Sequence, residues 1–344
     1  MSEPDFNELL LNLDKRDMAG YTRNFVDDLR SSMSIEVGIE EDNDWSGVLC
    51  LGMGGSGAGG LFLKSLSDES GGLPFVVWTD YGVPSWWGPD WLVIATSYSG
   101  NTEETLDGVR EAISNGGTVV GICSGGELED LLADADGSVC LKVPSGQMPR
   151  SAFGHIFGTQ LSACWALGIL PKPSLEEISE MLERLSSSSN EADISSNSGL
   201  TSTLSRSLVG REIGIVSPKC LSAAAYRFSC QINENSAKFA RSTEIPEMNH
   251  NEIVAWGEMT ENQSLLIFSW DGTHERNDMR LDWFLENISV EPTWGLLCEG
   301  ESHLEALLYA VILMDWLSCA IALLRGKDPT AIGPIVGLKD HLSQ

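Results

Sequence analysis

Short, fully apolar runs alternate with longer amphipathic stretches from about Trp45 onward. The apolar runs predict buried strands, and the helical spacing between them predicts helices. Such alternation is typical of a parallel sheet covered by helices on both faces. The first half predicts strands at Gly47–Leu51, Phe75–Trp78, Leu92–Thr96, Thr118–Ile122 and Ser138–Val143, and helices at Gly57–Leu66, Thr102–Asn115, Leu128–Ala133 and Ser151–Leu167.

The second half has the same rhythm. It predicts strands at Glu212–Ser217, Leu265–Ser269 and Glu291–Leu297, and helices at Cys220–Asn233, Glu275–Glu286, Leu304–Leu324 and Val336–Leu342. Helical spacing over Phe6–Leu29 predicts further helices that pack outside the first core. We therefore expect an α/β fold of two doubly wound domains with mostly parallel sheets, plus N-terminal and C-terminal helices.

A small, polar stretch from Ser186 to Gly199 predicts the linker between the two domains. The expected domains are residues 1–185, with the N-terminal helices, and residues 190–344, with the C-terminal helix. A chain of 344 residues is long enough for two such cores.

Charge and cysteine content narrow the class of protein. A formal net charge of -29 argues against nucleic acid or an anionic membrane surface as a partner, since both require clustered Lys and Arg. The eight cysteines include no CxxC pair, which predicts reduced thiols in an intracellular, cytoplasmic protein. The apolar run Leu304–Leu324 contains Glu305 and Asp315 and predicts a buried helix, not a membrane span.

Two Gly/Ser stretches each follow a predicted strand and precede a predicted helix. They are Leu51-Gly-Met-Gly-Gly-Ser-Gly57 and Ser97-Tyr-Ser-Gly-Asn-Thr102. Glycines let the backbone approach a ligand, hydroxyls donate to phosphate oxygens, and a helix N-terminus favours an anion. The carboxyl ends of the strands, where both stretches lie, are the usual ligand site of such sheets. These stretches predict a site for a small phosphorylated ligand.

The first stretch also resembles a dinucleotide fingerprint. Gly52-Met-Gly54 can begin a GxGxxG, which Gly57 completes, and Asp68 or Glu69 stands where an acid for ribose is expected. Neither acid follows a clear strand. The hydroxyl-rich second stretch fits a phosphate monoester better than a pyrophosphate bridge.

Four polar residues elsewhere are candidates for catalysis. Glu234 lies where a predicted helix runs into polar residues, and His250 lies in a loop with carboxylates and amides on both sides. Polar loop residues of this kind are more often functional than charges on a helix face. Arg150 stands between a strand and a helix, where it can hold developing negative charge. Spacing alone favours a dipole-compensating role for Lys339 in the last helix.

Several of these motifs together resemble the bifunctional phosphoglucose/phosphomannose isomerases of the sugar isomerase (SIS) domain superfamily. The similarity extends from Asp17-Met18 to the end of the chain, with motifs in both halves. The motifs are Gly54-Gly-Ser56, Ser97-x-Ser-Gly-Asn-Thr102, Pro149-Arg150, Asn233-Glu-Asn235, Pro246-Glu-Met-Asn-His-Asn-Glu252 and Arg325-Gly-x-Asp-Pro329 followed by Leu338-Lys339.

The resemblance implies an aldose–ketose isomerase of hexose 6-phosphates that uses no metal and no cofactor. It implies that Glu234 is the base, that Arg150 stabilises an enediolate, and that His250 and Lys339 serve ring opening. It also implies a homodimer in which His250 reaches the partner subunit's active site. The phosphate ligands that it implies are Gly54, Gly55, Ser56, Ser97, Ser99 and Thr102.

The stretch Thr330-Ala-Ile-Gly-Pro334 departs from the family pattern, so mannose 6-phosphate turnover is predicted less strongly than glucose 6-phosphate turnover. Three functions stay open at this point: the isomerase, a non-catalytic SIS-domain sensor of sugar phosphates, and a dinucleotide-dependent oxidoreductase. The joint presence of Glu234, Arg150 and His250 favours the first.

Overall fold

The computed structural model describes residues 4–38, 44–258 and 262–342. Its contacts divide it into two compact units. We call Asn24–Glu183 the five-stranded unit, and the described parts of Met1–Arg23 and Arg184–Gln344 the four-stranded unit. Helices α1 (Phe6–Leu13) and α2 (Met18–Ser32) begin the chain.

The five-stranded unit has one parallel sheet in the order β2-β1-β3-β4-β5. The order reverses between the adjacent strands β1 and β3, so the loops that follow these two strands leave the sheet side by side. The strands are β1 (Gly47–Leu51), β2 (Phe75–Trp78), β3 (Trp91–Thr96), β4 (Val119–Cys123) and β5 (Val139–Lys142); the helices are α3 (Gly54–Ser70), α4 (Glu103–Ser114), α5 (Glu127–Ala133), α6 (Phe153–Ala166) and the first part of α7 (Leu175–Ala192).

Two glycines let α6 pack closely on α2. A Cβ atom at Gly154 would lie 2.7 Å from the carbonyl oxygen of Phe25, and one at Gly158 would lie 2.8 Å from the Cβ of Ser32. Both distances are too short for a side chain. The close approach also brings the buried imidazole of His155 against α2.

The four-stranded unit has a second parallel sheet, in the order β7-β6-β8-β9. Its strands are β6 (Glu212–Pro218), β7 (Ala240–Ile245), β8 (Gln263–Ser269) and β9 (Thr293–Leu297); its helices include α8 (Gly199–Leu208), α9 (Ser222–Ser236), α10 (Ile253–Trp256), α11 (Glu275–Asn287), α12 (His303–Leu324) and α13 (Gly333–Leu342). Two parallel sheets with flanking helices confirm the predicted fold class.

The two units divide between Glu183 and Arg184, and helix α1 belongs to the four-stranded unit, where the Phe6 ring packs under the guanidinium of Arg206. The predicted domains, residues 1–185 and 190–344, stay a prediction. Residues 186–192 are helical because they continue α7. Asn197 accepts a hydrogen bond from the Phe6 amide at 2.6 Å and thereby holds the chain's first helix.

Within the described residues, α12 is the one helix long and apolar enough to cross a membrane, and 89% of its most apolar stretch is buried inside the structure. Its Asp315 forms an ion pair with Arg227 of α9, because a carboxylate away from water needs a partner of opposite charge. The helix is buried, as its interrupting polar residues predict.

The eight cysteines form no disulfide in the described part of the chain. Burial raises the pKa of the Cys50 thiol to about 12, so this thiol is an unreactive core group. Cys123 and Cys140 differ, since their sulfur atoms lie 3.4 Å apart on neighbouring strands. That contact lowers the pKa of Cys123 to about 7 and raises that of Cys140.

Candidate functional site

The two Gly/Ser loops meet at the point where the strand order of the five-stranded unit reverses. β1 and β3 are hydrogen-bonded neighbours, with Leu51 opposite Ala95 at their carboxyl ends. The Oγ of Ser56, in the first loop, accepts a hydrogen bond from the Tyr98 amide in the second at 3.1 Å. The Ser56 hydroxyl keeps its own proton to donate to a ligand. The two loops therefore form one surface.

The N-terminus of α3 supplies the helix dipole of this surface. Gly54 begins the helix with φ +53°, a conformation that glycine adopts without strain. The first turn of α3 contains no carboxylate, whereas the first turn of α4 contains Glu103 and Glu104. Because an anion is stabilised by backbone N–H groups and repelled by carboxylates, α3 is the better of the two helices for a phosphate.

Hydrogen bonds within the second loop fix its shape. The Oγ of Ser97 lies 2.8 Å from the Oγ1 of Thr102 and accepts a hydrogen bond from the Thr102 amide at 3.2 Å. Ser97 is fully buried, while Ser99 is exposed and Thr102 is half-buried. Ser99 and Thr102 are thus the hydroxyls of this loop that a ligand can reach, and Ser97 closes the loop; a direct phosphate contact of Ser97 stays a prediction.

The predicted cation lies directly beside the first loop. Arg150 is 4% exposed, in the turn between β5 and α6. A Cβ atom at Gly55 would lie 2.9 Å from both the Cα and the backbone nitrogen of Arg150. Only a glycine fits at this position, because both contacts are to backbone atoms. The structure therefore brings Gly54, Gly55, Ser56, Ser99, Thr102 and Arg150 to one edge of one sheet.

We expect Gly55→Ala to disturb this edge strongly. The added methyl group must displace the backbone at Arg150, and overpacking of this kind costs about 1–3 kcal/mol. The displacement also moves the guanidinium, so activity should fall as well. Gly295→Ala is the matched control, since a Cβ atom at Gly295 has no neighbour within 4 Å. Urea unfolding and kcat measured on both variants test this, and equal effects of the two changes would contradict it.

The remaining candidates lie on three elements of the four-stranded unit. Glu234 is half-buried in the last turn of α9, His250 is exposed at the end of the 3₁₀ turn that follows β7, and Lys339 is exposed on α13. Their catalytic roles stay predictions. Each of the three side chains is at least partly exposed in this structure.

A buried ion pair fixes the helix that carries Glu234. Arg227, one of the most buried charges of this unit, forms a two-point contact with the carboxylate of Asp315 on α12, with Nη2 and Oδ2 3.0 Å apart. The Nε2 of Gln231 donates to the same carboxylate at 2.9 Å. Gln231 is about one helical turn before Glu234 and Arg227 about two turns before it, so these bonds set the position of the predicted base.

The structure argues against dinucleotide binding, because neither Asp68 nor Glu69 lies where the acid that binds ribose is expected. Asp68 and Glu69 lie in the last turn of α3, and Asp68 pairs with Lys64 at 2.7 Å. Neither residue follows a strand, as the ribose acid of the fingerprint does. Gly57 has a packing reason of its own, because a Cβ atom there would lie 2.3 Å from the carbonyl oxygen of Gly52.

Sequence reasoning missed a buried polar cluster behind the Arg150 turn. The imidazole of His155 lies between Ser32, at 3.1 Å from Nδ1, and Asp28, at 3.2 Å from Nε2. Asp28 also accepts a hydrogen bond from the side chain of Gln147. The residues of this cluster are far apart in the chain, so no motif or spacing in the sequence indicates the cluster. No group of His, Cys, Asp and Glu among the described residues is arranged to hold a metal ion.

Comparison with known proteins agrees with this architecture. The SIS domain model matches residues 43–170, and the model of the bacterial phospho-glucose isomerase C-terminal SIS domain matches residues 198–342. The C-terminal domain of glucosamine-fructose-6-phosphate aminotransferase from Francisella tularensis has the same fold, with a TM-score of 0.71 at 14% identity over 92% of this chain and 98% of that one. The fold and its loops thus define a protein with two SIS domains.

Two relatives narrow the class further. The bifunctional phosphoglucose/phosphomannose isomerase of Aquifex aeolicus is 34% identical over 306 residues, which are 87% of this chain and 91% of that protein. The protein of the same name from Thermoplasma acidophilum is 30% identical over 302 residues, 87% of this chain and 90% of the relative. The chain belongs to the bifunctional phosphoglucose/phosphomannose isomerase family, which confirms the resemblance found in its motifs.

Proposed function

We propose that this protein is an aldose–ketose isomerase that interconverts glucose 6-phosphate and fructose 6-phosphate, and also acts on mannose 6-phosphate. The observation that carries the proposal is the convergence of Ser56, the Ser97–Thr102 loop and Arg150 at the carboxyl ends of β1 and β3. Phosphate-binding groups next to one buried cation suit a phosphorylated substrate that develops negative charge. Family membership supplies the reaction class.

The phosphate anchors the substrate. In this proposal the N-terminus of α3 and the hydroxyls of Ser56, Ser99 and Thr102 bind the 6-phosphate, supported by the close backbone of Gly54 and Gly55. Binding energy from this non-reacting end orients C1 and C2, and such orientation accounts for a large part of a catalysed rate.

Proton transfer then proceeds between C1 and C2. The carboxylate of Glu234 removes the C2 proton of the open-chain aldose, and the C1 carbonyl oxygen takes up the electron pair as an enediolate. The guanidinium of Arg150 stabilises this oxygen. The proton of the C2 hydroxyl moves to the C1 oxygen, and Glu234 returns its own proton to C1 to give the ketose. His250 and Lys339 assist the ring opening that precedes these steps.

We also propose that the working enzyme is a homodimer. Exposed apolar side chains lie close in sequence to His250 and Lys339, and their burial by a second copy of the chain would be favourable. Val254, four residues after His250, is 75% exposed, and α13 has no buried residue. The exposed apolar residues of α13 are Ile335, Val336, Leu338 and Leu342.

A subunit-mixing experiment tests whether His250 acts across the dimer. Glu234→Gln and His250→Ala should each be inactive, yet their co-expressed mixture should regain about a quarter of wild-type activity. Half of the dimers would be mixed, and each mixed dimer would hold one intact site. Co-expression of Glu234→Gln with Arg150→Ala is the control, since no site regains both groups. No recovery in the first mixture would contradict a shared site.

A coupled assay tests the reaction itself. Purified protein with fructose 6-phosphate should form glucose 6-phosphate, and mannose 6-phosphate should form fructose 6-phosphate more slowly or at a similar rate. Binding of these sugars without any turnover would favour the sensor instead. A cytoplasmic location is part of the proposal, because unlinked cysteines are typical of a reducing compartment.

A further inference from the structure

Tyr98 contacts both of its neighbouring loops at the candidate site. It lies between Ser97 and Ser99 and is 6% exposed. Its amide donates to Ser56 in the loop after β1. Its phenol hydroxyl donates to the carbonyl oxygen of Pro144 at 2.8 Å and accepts a hydrogen bond from the amide of Gln147 at 3.0 Å. Through its amide and its hydroxyl, Tyr98 therefore connects the two Gly/Ser loops with the turn after β5.

That turn carries Arg150, three residues beyond Gln147. The hydroxyl of Tyr98 holds the backbone of Gln147, and Asp28 accepts a hydrogen bond from its side chain at 3.1 Å. Within the turn, the Oγ of Ser151 donates to the carbonyl oxygen of Met148. Gln147 is thus held by Tyr98 at its backbone and by Asp28 at its side chain. Of these two partners, Tyr98 is the one that belongs to a Gly/Ser loop.

We propose that Tyr98 is a positioning residue for the isomerisation, whose hydroxyl sets the place of the Arg150 guanidinium relative to the bound phosphate. The inference rests on the proposed function and extends it to a residue that touches no reacting atom. The reaction requires one conformation of the bound open-chain sugar, in which its phosphate and its C1 oxygen both meet their protein partners, so those two partners must keep a set separation. Tyr98 is bonded to both loops and imposes that separation.

The hydroxyl can be tested apart from the ring. Tyr98→Phe keeps the ring in its buried place and removes both bonds to the turn. We expect kcat to fall about 10- to 100-fold, as displacement of a catalytic group by roughly 1 Å does. KM should stay within about threefold, because the phosphate-binding groups remain. Tyr309→Phe, which removes a phenol from the four-stranded unit, should keep both constants.

A double variant distinguishes positioning from a general loss of order. In an Arg150→Ala background, Tyr98→Phe should change kcat by less than about twofold, because the group that it positions is already absent. Binding of glucitol 6-phosphate, which cannot isomerise, should be equal in wild type and Tyr98→Phe. Equal kcat in wild type and Tyr98→Phe, multiplicative losses in the double variant, or a Tyr98→Phe protein that does not fold would each overturn the inference. Lack of turnover by the wild type would instead refute the proposed function.

Discussion

Glu234→Gln is expected to lower kcat about a thousandfold while the affinity for glucitol 6-phosphate stays within about threefold. The amide keeps the shape of the side chain in the last turn of α9 and loses the ability to take up a proton. The phosphate-binding groups lie on other elements and are unchanged. Isomerisation and the exchange of the substrate's C2 proton with deuterated solvent should therefore disappear together.

The proton-exchange measurement makes this result specific to the base. Glu286→Gln is the matched control, because Glu286 is an exposed carboxylate of α11 outside every candidate motif. It should leave kcat and exchange at wild-type values. If Glu234→Gln kept kcat within about tenfold, or if exchange continued at the wild-type rate, the base would be another group and the proposed mechanism would need a different carboxylate.

Strands β1 (Gly47–Leu51) and β2 (Phe75–Trp78) have the same bounds in prediction and structure. β1 is a fully apolar run of five residues, a length typical of a buried strand and short for a helix. The polar edge strand β7 was not predicted. Its sequence, Ala240-Arg-Ser-Thr-Glu-Ile245, is buried at its two ends only, so it lacks the apolar signal of a central strand. Pairing with β6, a tertiary contact, makes it a strand.

The helical conformation of residues 186–192, inside the predicted linker, could not be predicted from composition either. Ser186–Ser189 have low helix propensity, which favours a loop. In the structure the preceding residues of α7 form a strongly amphipathic helix, and the Oγ of Ser188 donates to the carbonyl oxygen of Arg184 one turn earlier. The packing of one helix face decides the conformation, and composition alone cannot show that face.

The candidate site could be predicted as a set of motifs but not as a geometry. Glycines and hydroxyls at two strand ends indicate a phosphate site, since parallel strands end at one edge. The close contact between Gly55 and Arg150 cannot be predicted from the sequence, because 94 residues lie between them. The role of Tyr98 is hidden for the same reason, although its place between Ser97 and Ser99 could have drawn attention to it.

Asp315→Ala is expected to lower the free energy of unfolding by about 3–5 kcal/mol, the usual effect of removing one partner from a buried ion pair. The change leaves the buried guanidinium of Arg227 without the carboxylate that it contacts at two points, and removes the acceptor of Gln231. Because α9 carries Glu234, kcat should fall as well. Urea unfolding followed by circular dichroism measures the stability.

Two further variants show whether the loss comes from the buried charge. Asp68→Ala breaks the exposed pair with Lys64 and should cost only about 0.5 kcal/mol. The double change Arg227→Met with Asp315→Leu replaces the pair by apolar side chains and should recover most of the lost stability, because no charge stays buried. A double variant as unstable as Asp315→Ala would mean that α9 and α12 depend on the hydrogen bonds of the carboxylate and not on its charge.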